Sequence, residues 1–73
     1  MIFNERLKLL REENGLTQEK VAKEMGIPLR SYNRLEADGH KTHYDTLKKI
    51  ADYYNVSVDW LMGRTDVWEV NRG

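Results

Sequence analysis

Apolar residues recur at helical spacing in five short stretches of the sequence, and polar or glycine-containing segments separate these stretches. In the first stretch Leu7 and Leu10 form a stripe that is expected to face the core. This helix is predicted to begin after the N-cap Asn4 and to end at Asn14-Gly15. Leu9 lies off the stripe and is expected to be exposed.

The next two predicted helices are joined by only about three residues, Gly26-Ile27-Pro28. Helix two is expected to begin after the N-cap Thr17 and to end at Gly26, in a left-handed conformation. Helix three is expected to begin at Pro28, which is favoured at the first helical position, and to end near Ala37. The core residues predicted for this pair are Val21, Ala22, Met25, Ile27, Tyr32 and Leu35. A connection this short that contains glycine is typical of a helix-turn-helix.

Two more helices and a tail complete the predicted organisation. The fourth helix follows the polar segment HKTH and carries apolar residues at helical spacing, Leu47, Ile50, Ala51 and Tyr54. Ser57 is expected to cap a short fifth helix over residues 58–62. We therefore predict an all-α fold, a compact five-helix domain over residues 1–66. Residues 67–73 form a tail that is either a dimerisation arm or the start of a linker, and the pattern of residues 64–73 is compatible with a strand, an arm or a disordered end.

A helical projection divides helix three into two faces. With about 100° per residue, Leu35, Pro28 and Glu36 lie on the same side as Tyr32, which is the inner side. The opposite face carries Arg30, Asn33, Arg34 and Ala37, with Leu29 at the border. Arginine can form two parallel hydrogen bonds with guanine, and asparagine can do the same with adenine, in a major groove that admits a helix. The alternative is an ordinary solvated face with two arginines one turn apart.

Several motifs resemble those of one known family. LTQ, VAKEMGI, YNRLE and TLKKIADYYNVSVDWL fall where the phage-repressor and Cro family of helix-turn-helix proteins, also called XRE-like, has its motifs, over roughly residues 5–66. This resemblance implies a DNA-binding domain whose base contacts come from Leu29, Arg30, Asn33 and Arg34. It implies contacts to the DNA backbone, or mixed contacts, from Thr17, Gln18, Ser31, His40, Lys41 and His43. It also implies a partly buried ion pair between Arg11 and Glu36.

Leu29 stands where the family usually has a polar residue. We therefore expect it to contact a thymine methyl group or simply to pack.

Charge and composition change this picture little. The formal net charge is zero, but residues 28–49 carry five Lys and Arg against three Asp and Glu, so the middle of the chain is mildly basic. The chain has no cysteine, no long apolar run and no signal-peptide pattern, and we expect a cytoplasmic protein of bacterial or phage origin without membrane association.

The sequence gives little support for catalysis or for a cofactor. His40 and His43 have a spacing found in metal sites, but no third or fourth ligand lies near them, and no metal or other cofactor is expected. There is no nucleophile–base constellation and no glycine-rich phosphate loop, so neither an enzyme nor a small-molecule substrate is indicated.

The C-terminal end carries more apolar side chains than a small core requires, which suggests self-association. The predicted dimer-interface residues are Trp60, Met62, Val67, Trp68 and Val70. The alternative is a monomer whose tail folds back on its own core. We therefore expect a sequence-specific DNA-binding transcriptional regulator of repressor type that inserts helix three into the major groove of a double-stranded operator as a homodimer. An antitoxin-like or other protein-interaction module with the same fold is the alternative function.

Overall fold

The computed structural model describes residues 2–38 and 42–69, which form five α-helices. These are α1 (Ile2–Glu13), α2 (Gln18–Met25), α3 (Leu29–Ala37), α4 (Tyr44–Tyr54) and α5 (Val58–Leu61). The described residues contain no strand, so the predicted all-α fold with five helices is confirmed. No helix in this part of the chain is long and apolar enough to cross a membrane.

One apolar core joins all five helices. Its buried residues are Phe3, Leu7, Leu10, Val21, Ala22, Met25, Tyr32, Leu47, Ile50, Ala51, Val56 and Leu61. The predicted stripes of α1 and α2 are confirmed, and Leu9 is exposed as expected. Helix α3 packs against both α1 and α2, but Tyr32 is its only fully buried residue among those described. Most of the surface of α3 therefore remains open to solvent.

Two of the helices begin at the capping residues that the sequence predicts. The hydroxyl of Thr17 accepts a hydrogen bond from the N–H of Lys20 at 3.1 Å, and the hydroxyl of Ser57 accepts one from the N–H of Trp60 at 3.2 Å. A capping hydroxyl satisfies one of the backbone donors that a helix leaves without a partner at its start. These two local predictions are confirmed.

The connection between α2 and α3 turns sharply at Gly26. Its φ is 71°, and its N–H donates to the carbonyl oxygen of Lys23 at 3.2 Å. The next N–H, that of Ile27, donates to the carbonyl oxygen of Ala22 at 2.9 Å. This pair of bonds around a left-handed residue reverses the chain directly after the last turn of α2. The left-handed Gly26 is confirmed, and it allows α3 to begin only three residues later.

The predicted start of α1 is wrong. The helix begins at Ile2, so Asn4 lies inside it and does not cap it. The Asn4 side-chain amide instead donates to the backbone oxygens of Glu36 at 3.2 Å and Ala37 at 3.4 Å. These carbonyls lie at the C-terminal end of α3, where a helix leaves acceptors without partners. Asn4, which lies inside α1, therefore supplies hydrogen bonds to carbonyl oxygens at the end of α3.

The predicted start of α3 is wrong by one residue. The helix begins at Leu29, and Pro28 precedes it with φ −56° and ψ 139°. Pro28 is also exposed, although the projection placed it on the inner side with Tyr32. The projection assumes helical geometry at every position, and a ψ of 139° lies outside that geometry.

The segment that follows α5 lies against the folded domain. Gly63 has φ 80°, and residues 64–69 contain neither helix nor strand, so the strand alternative is wrong for them. The guanidinium of Arg6 on α1 donates to the backbone oxygens of Trp60 and of Thr65, the latter at 3.0 Å. The same guanidinium lies 4.7 Å above the Trp60 ring. The segment directly after α5 is thus attached to α1.

Candidate nucleic-acid interface

The outer face of α3 combines cationic, amide and apolar side chains. Leu29, Arg30, Asn33 and Arg34 are exposed, and together with Ala37 they line one shallow concavity. Within residues 2–38 and 42–69, the side chains of Arg30, Asn33 and Arg34 take part in no hydrogen bond or ion pair. Their donors are therefore available to acceptors outside the protein.

The inner face of α3 is fixed by Tyr32, whose side chain is completely buried, as the projection predicts. Its hydroxyl has no hydrogen-bond partner among the described residues. Burial raises the pKa of Tyr32, and the neighbouring Glu36 carboxylate raises it further. The phenol therefore remains neutral, and its buried ring packs α3 against the core of the domain.

A second inner contact of α3 is the buried carboxylate of Glu36, whose side chain is only 5% exposed. Arg11 on α1 donates to it through Nε at 2.7 Å and through Nη2 at 3.1 Å, so the ion pair that the resemblance implies is present. Gln18, the first residue of α2, donates to the same carboxylate through Nε2 at 3.0 Å. We refer to Glu36, Arg11 and Gln18 as the Glu36 network.

The electrostatics of the Glu36 network favour the charged carboxylate. Burial alone would raise the pKa of Glu36, but the hydrogen bonds from Arg11 and Gln18, together with the nearby Tyr32 hydroxyl, outweigh burial and lower that pKa below its ordinary value. The same contact with Glu36 raises the pKa of Arg11 despite partial burial. Both groups are therefore ionised at neutral pH, and the charge of α3 on this side is fully compensated.

The residues predicted to contact the DNA backbone differ in their surroundings. Thr17 and Ser31 are exposed, and so is His43, which directly precedes α4. Gln18 is half-buried because its amide belongs to the Glu36 network. His40 and Lys41 lie outside the described residues, and so does Val70. Among the described residues, no group of three or more His, Asp or Glu side chains is placed to hold a metal ion.

The structure separates the predicted dimer-interface residues into two groups. Met62, Val67 and Trp68 are exposed on the described surface. Trp60 instead packs partly against the core and lies beneath Arg6. An exposed apolar group can meet a second molecule directly, whereas Trp60 already has contacts within its own chain.

Sequence reasoning missed the roles of Asn4 and Arg6. Both are polar residues at stripe spacing on α1, Asn4 three residues before Leu7 and Arg6 four residues before Leu10. A polar residue at that spacing faces other elements and needs a partner there. This signal indicates that a contact exists, but it does not identify the partner.

The family described as Helix-turn-helix matches residues 7–61, which include most of α1 and all of α2 to α5. The chain belongs to the helix-turn-helix family. The assignment to the phage-repressor, XRE-like type is confirmed, because relatives of the chain include a phage repressor.

Three relatives show how far the similarity to helix-turn-helix regulators extends. The chain is 40% identical over 65 residues to the uncharacterized HTH-type transcriptional regulator YobD of Bacillus subtilis. It is 35% identical over 71 residues to the HTH-type transcriptional regulator ImmR of the same species, and 39% identical over 64 residues to the cryptic phage CTXphi transcriptional repressor RstR of Vibrio cholerae. These regions cover 89%, 97% and 88% of the chain.

The same regions cover 58%, 56% and 57% of the three relatives, so the chain spans little more than half of their length. No solved structure matches the chain. Its relatives carry the names of transcriptional regulators, and proteins of that class are generally not enzymes.

Proposed function

We propose that this helix-turn-helix domain binds DNA in a sequence-specific way and acts as a transcriptional repressor. The observation that carries the proposal is the outer face of α3, where Arg30, Asn33 and Arg34 are exposed and have no partner among the described residues. The opposite face of the same helix is held by Tyr32 and Glu36. A helix anchored on one side and rich in free donors on the other suits insertion into the major groove.

The side chains on this face divide into base contacts and backbone contacts. Arg30 and Arg34 suit guanine, Asn33 suits adenine, and exposed Leu29 suits a thymine methyl group. The proposed backbone or mixed contacts come from Thr17, Gln18, Ser31, His40, Lys41 and His43. Because phosphate contacts release counterions, the affinity falls as the salt concentration rises.

We further propose that two copies bind one operator about a twofold axis. Exposed Met62, Val67 and Trp68 support this pairing, because large exposed apolar side chains on a small domain favour association. Val70 completes the proposed set. The two α3 helices then lie about 34 Å apart, in successive major grooves on one side of the duplex.

Selection of bound sequences from a random DNA pool tests the proposal. We expect a palindromic motif whose half-sites lie about one helical turn apart. The matched control carries Arg30→Ala and Arg34→Ala together, which removes only exposed side chains and is expected to lose the enrichment. A single non-palindromic half-site would contradict the dimer and leave DNA binding intact. No enrichment with the folded parent protein would contradict DNA binding and favour the protein-interaction module.

The sign of regulation needs a separate measurement. The selected operator is placed over the promoter of a reporter gene, and the protein is expressed beside it. Reduced reporter output supports a repressor, whereas increased output contradicts that part of the proposal.

A further inference from the structure

Among the predicted DNA contacts that lie within the described residues, Gln18 is the one whose side chain is held in place by a buried acceptor. Its Nε2 donates to Oε1 of Glu36 at 3.0 Å, and that oxygen also accepts a hydrogen bond from Arg11 at 3.1 Å. Glu36 belongs to the last turn of α3, whereas Gln18 is the first residue of α2. One carboxylate therefore links the start of α2 to the helix proposed to enter the groove.

We infer that Glu36 is a positioning residue, which orients the amide of Gln18 for a contact with a DNA phosphate. The inference rests on the proposed function and deepens it. Glu36 does not touch DNA itself, because its side chain is 5% exposed and its negative charge would repel phosphate. Its effect on binding is transmitted through Gln18.

The chemistry of the two groups fixes the direction of the amide. An ionised carboxylate only accepts hydrogen bonds, so the nitrogen end of the Gln18 amide must face Glu36. The hydrogen bonds from Arg11 keep the carboxylate ionised and in place. One N–H of Gln18 is used in this contact, and the second N–H remains available as a donor to a phosphate oxygen. Without the carboxylate the amide could rotate and present its oxygen, which phosphate repels.

The position of Gln18 supports a phosphate as its target. It begins α2, directly after the N-cap Thr17, whose hydroxyl already satisfies the N–H of Lys20. The amide therefore lies at the end of α2 where backbone donors and the helix dipole favour an anion. A donor held in one orientation at this point loses less side-chain entropy on binding than a freely rotating one.

A double-mutant cycle tests this coupling. Four proteins are compared, the parent, Gln18→Ala, Glu36→Gln and the double variant, each with the operator selected from the random pool. Affinity is measured over a range of salt concentrations, and the unfolding of each protein is measured in parallel. Glu13→Gln is the matched control, because it removes the same charge from an exposed position at the end of α1.

If Glu36 positions the Gln18 amide, Glu36→Gln weakens operator binding of the parent about fivefold. The same change should not weaken operator binding further in a protein that already carries Gln18→Ala. Both single variants should lower the slope of log K against log salt concentration by about 1, with equal losses on operator and non-operator DNA. The control should stay within about twofold of the parent.

Equal losses from Glu36→Gln in both backgrounds would overturn the inference, because α3 would then be displaced independently of Gln18. A loss confined to the operator would overturn it as well, since that result reports base contacts. If the parent itself binds no DNA, the proposed function fails, which is a different outcome from additive losses in a protein that binds.

A measurement on the free parent protein keeps the inference testable if Glu36→Gln does not fold. The side-chain amide protons of Gln18 are followed by NMR as the pH is lowered. We expect one of the two to shift as Glu36 is protonated, at a pH below the ordinary range of glutamate. If neither amide proton shifts through this titration, the orientation that the inference requires is overturned.

Discussion

At the scale of single residues, Glu36 connects three helices through one side chain. The carboxylate belongs to α3, and its partners Arg11 and Gln18 belong to α1 and α2. A buried ion pair adds little net stability compared with an apolar pair, but removal of one partner leaves the other charge uncompensated. The pair therefore affects stability chiefly through the cost of removing one of its partners.

Replacement of Glu36 by glutamine is predicted to lower the free energy of unfolding at neutral pH by about 3 kcal/mol, because it leaves Arg11 without its counter-charge. The pKa of Glu36 is lowered in the folded state, so its stabilisation is present above the ordinary glutamate pKa and disappears as the pH falls through the folded value. Urea unfolding measured between neutral and acid pH checks both effects.

The two proteins should therefore differ most at neutral pH and converge as the solution is acidified. Glu13→Gln is the control and should change the unfolding free energy by no more than about 0.5 kcal/mol. A pH-independent difference between the parent and Glu36→Gln would contradict the ionic origin of the effect.

Arg34 tests the base contacts of α3 one residue at a time. Its side chain is exposed and has no partner among the described residues, so Arg34→Ala should leave the fold intact. We expect a cost of about 1–3 kcal/mol in operator binding and relaxed sequence preference at one position of each half-site. Competition titrations with a panel of single-base operator variants measure this effect.

Arg64→Ala is the control for the loss of one positive charge. Arg64 lies after α5, where its guanidinium is 3.8 Å from Asp59 in an exposed pair. We expect the control to keep the sequence preference of the parent. Unchanged discrimination in Arg34→Ala would contradict a base contact by this residue.

At the scale of elements, the connection between α2 and α3 decides the direction of the proposed recognition helix. Gly26 has φ 71°, and apart from Gly26 and its two neighbours in the chain, no heavy atom of the described residues lies within 4 Å of the place where its Cβ would be. A side chain at this position therefore meets no neighbour, and only the backbone conformation opposes it. The left-handed region disfavours L-residues other than glycine, and asparagine tolerates it best among them.

We therefore predict that Gly26→Ala lowers the free energy of unfolding by about 1 kcal/mol. Gly26→Asn should cost less than Gly26→Ala, because Asn55 already occupies the same conformation after α4, with φ 57°. Thermal or urea unfolding of the parent, Gly26→Ala and Gly26→Asn ranks their stabilities. Equal losses of stability for alanine and asparagine would contradict this explanation. They would indicate a steric clash at position 26 and not a preference of the backbone for the left-handed conformation.

At the scale of the whole molecule, Arg6 attaches the segment after α5 to α1. Its guanidinium donates to Trp60, Thr65 and Asp66, and it covers the ring of Trp60. Two of these acceptors are backbone oxygens, which a charged donor binds more strongly than a neutral one does. Arg6→Ala is predicted to cost about 2 kcal/mol in stability and to increase hydrogen exchange in residues 64–69.

The matched control for Arg6 is Asp66→Asn, since the Asp66 side chain is fully exposed and 3.4 Å from Arg6. An exposed ion pair of this kind contributes about 0–1 kcal/mol, so the control should change stability much less than Arg6→Ala. Equal effects of the two variants would assign the stabilisation to the surface pair and not to the backbone contacts.

The exposed apolar residues after α5 allow the proposed dimer to be tested separately from DNA binding. Trp68 is 54% exposed, and we predict that Trp68→Ser raises the dissociation constant of the dimer at least tenfold. Leu29→Ser is the control for self-association, because Leu29 is 42% exposed on the outer face of α3, away from the proposed interface residues. Sedimentation over a range of protein concentrations measures both variants. A parent protein that stays monomeric at the concentrations used for operator binding would contradict the dimer.

Much of the fold could be predicted because its signals are local. The stripe of α1, the caps Thr17 and Ser57, and the left-handed Gly26 each depend on residues within about one helical turn. The two faces of α3 could also be predicted from its period, apart from Pro28, which precedes the helix. The start of α1 could not, because Asn4 has its partner at the far end of α3.

The sequence by itself determined the number and order of the helices and which side of α3 carries Arg30 and Arg34, because helical periodicity relates only neighbours three and four positions apart. Only the tertiary structure decided that Asn4 holds the end of α3, that Arg6 holds the segment after α5, and that Gln18 shares Glu36 with Arg11. These contacts join residues 18 to 59 positions apart. They exist because packed helices bring polar side chains to carbonyl and carboxylate groups that must be satisfied once water is excluded.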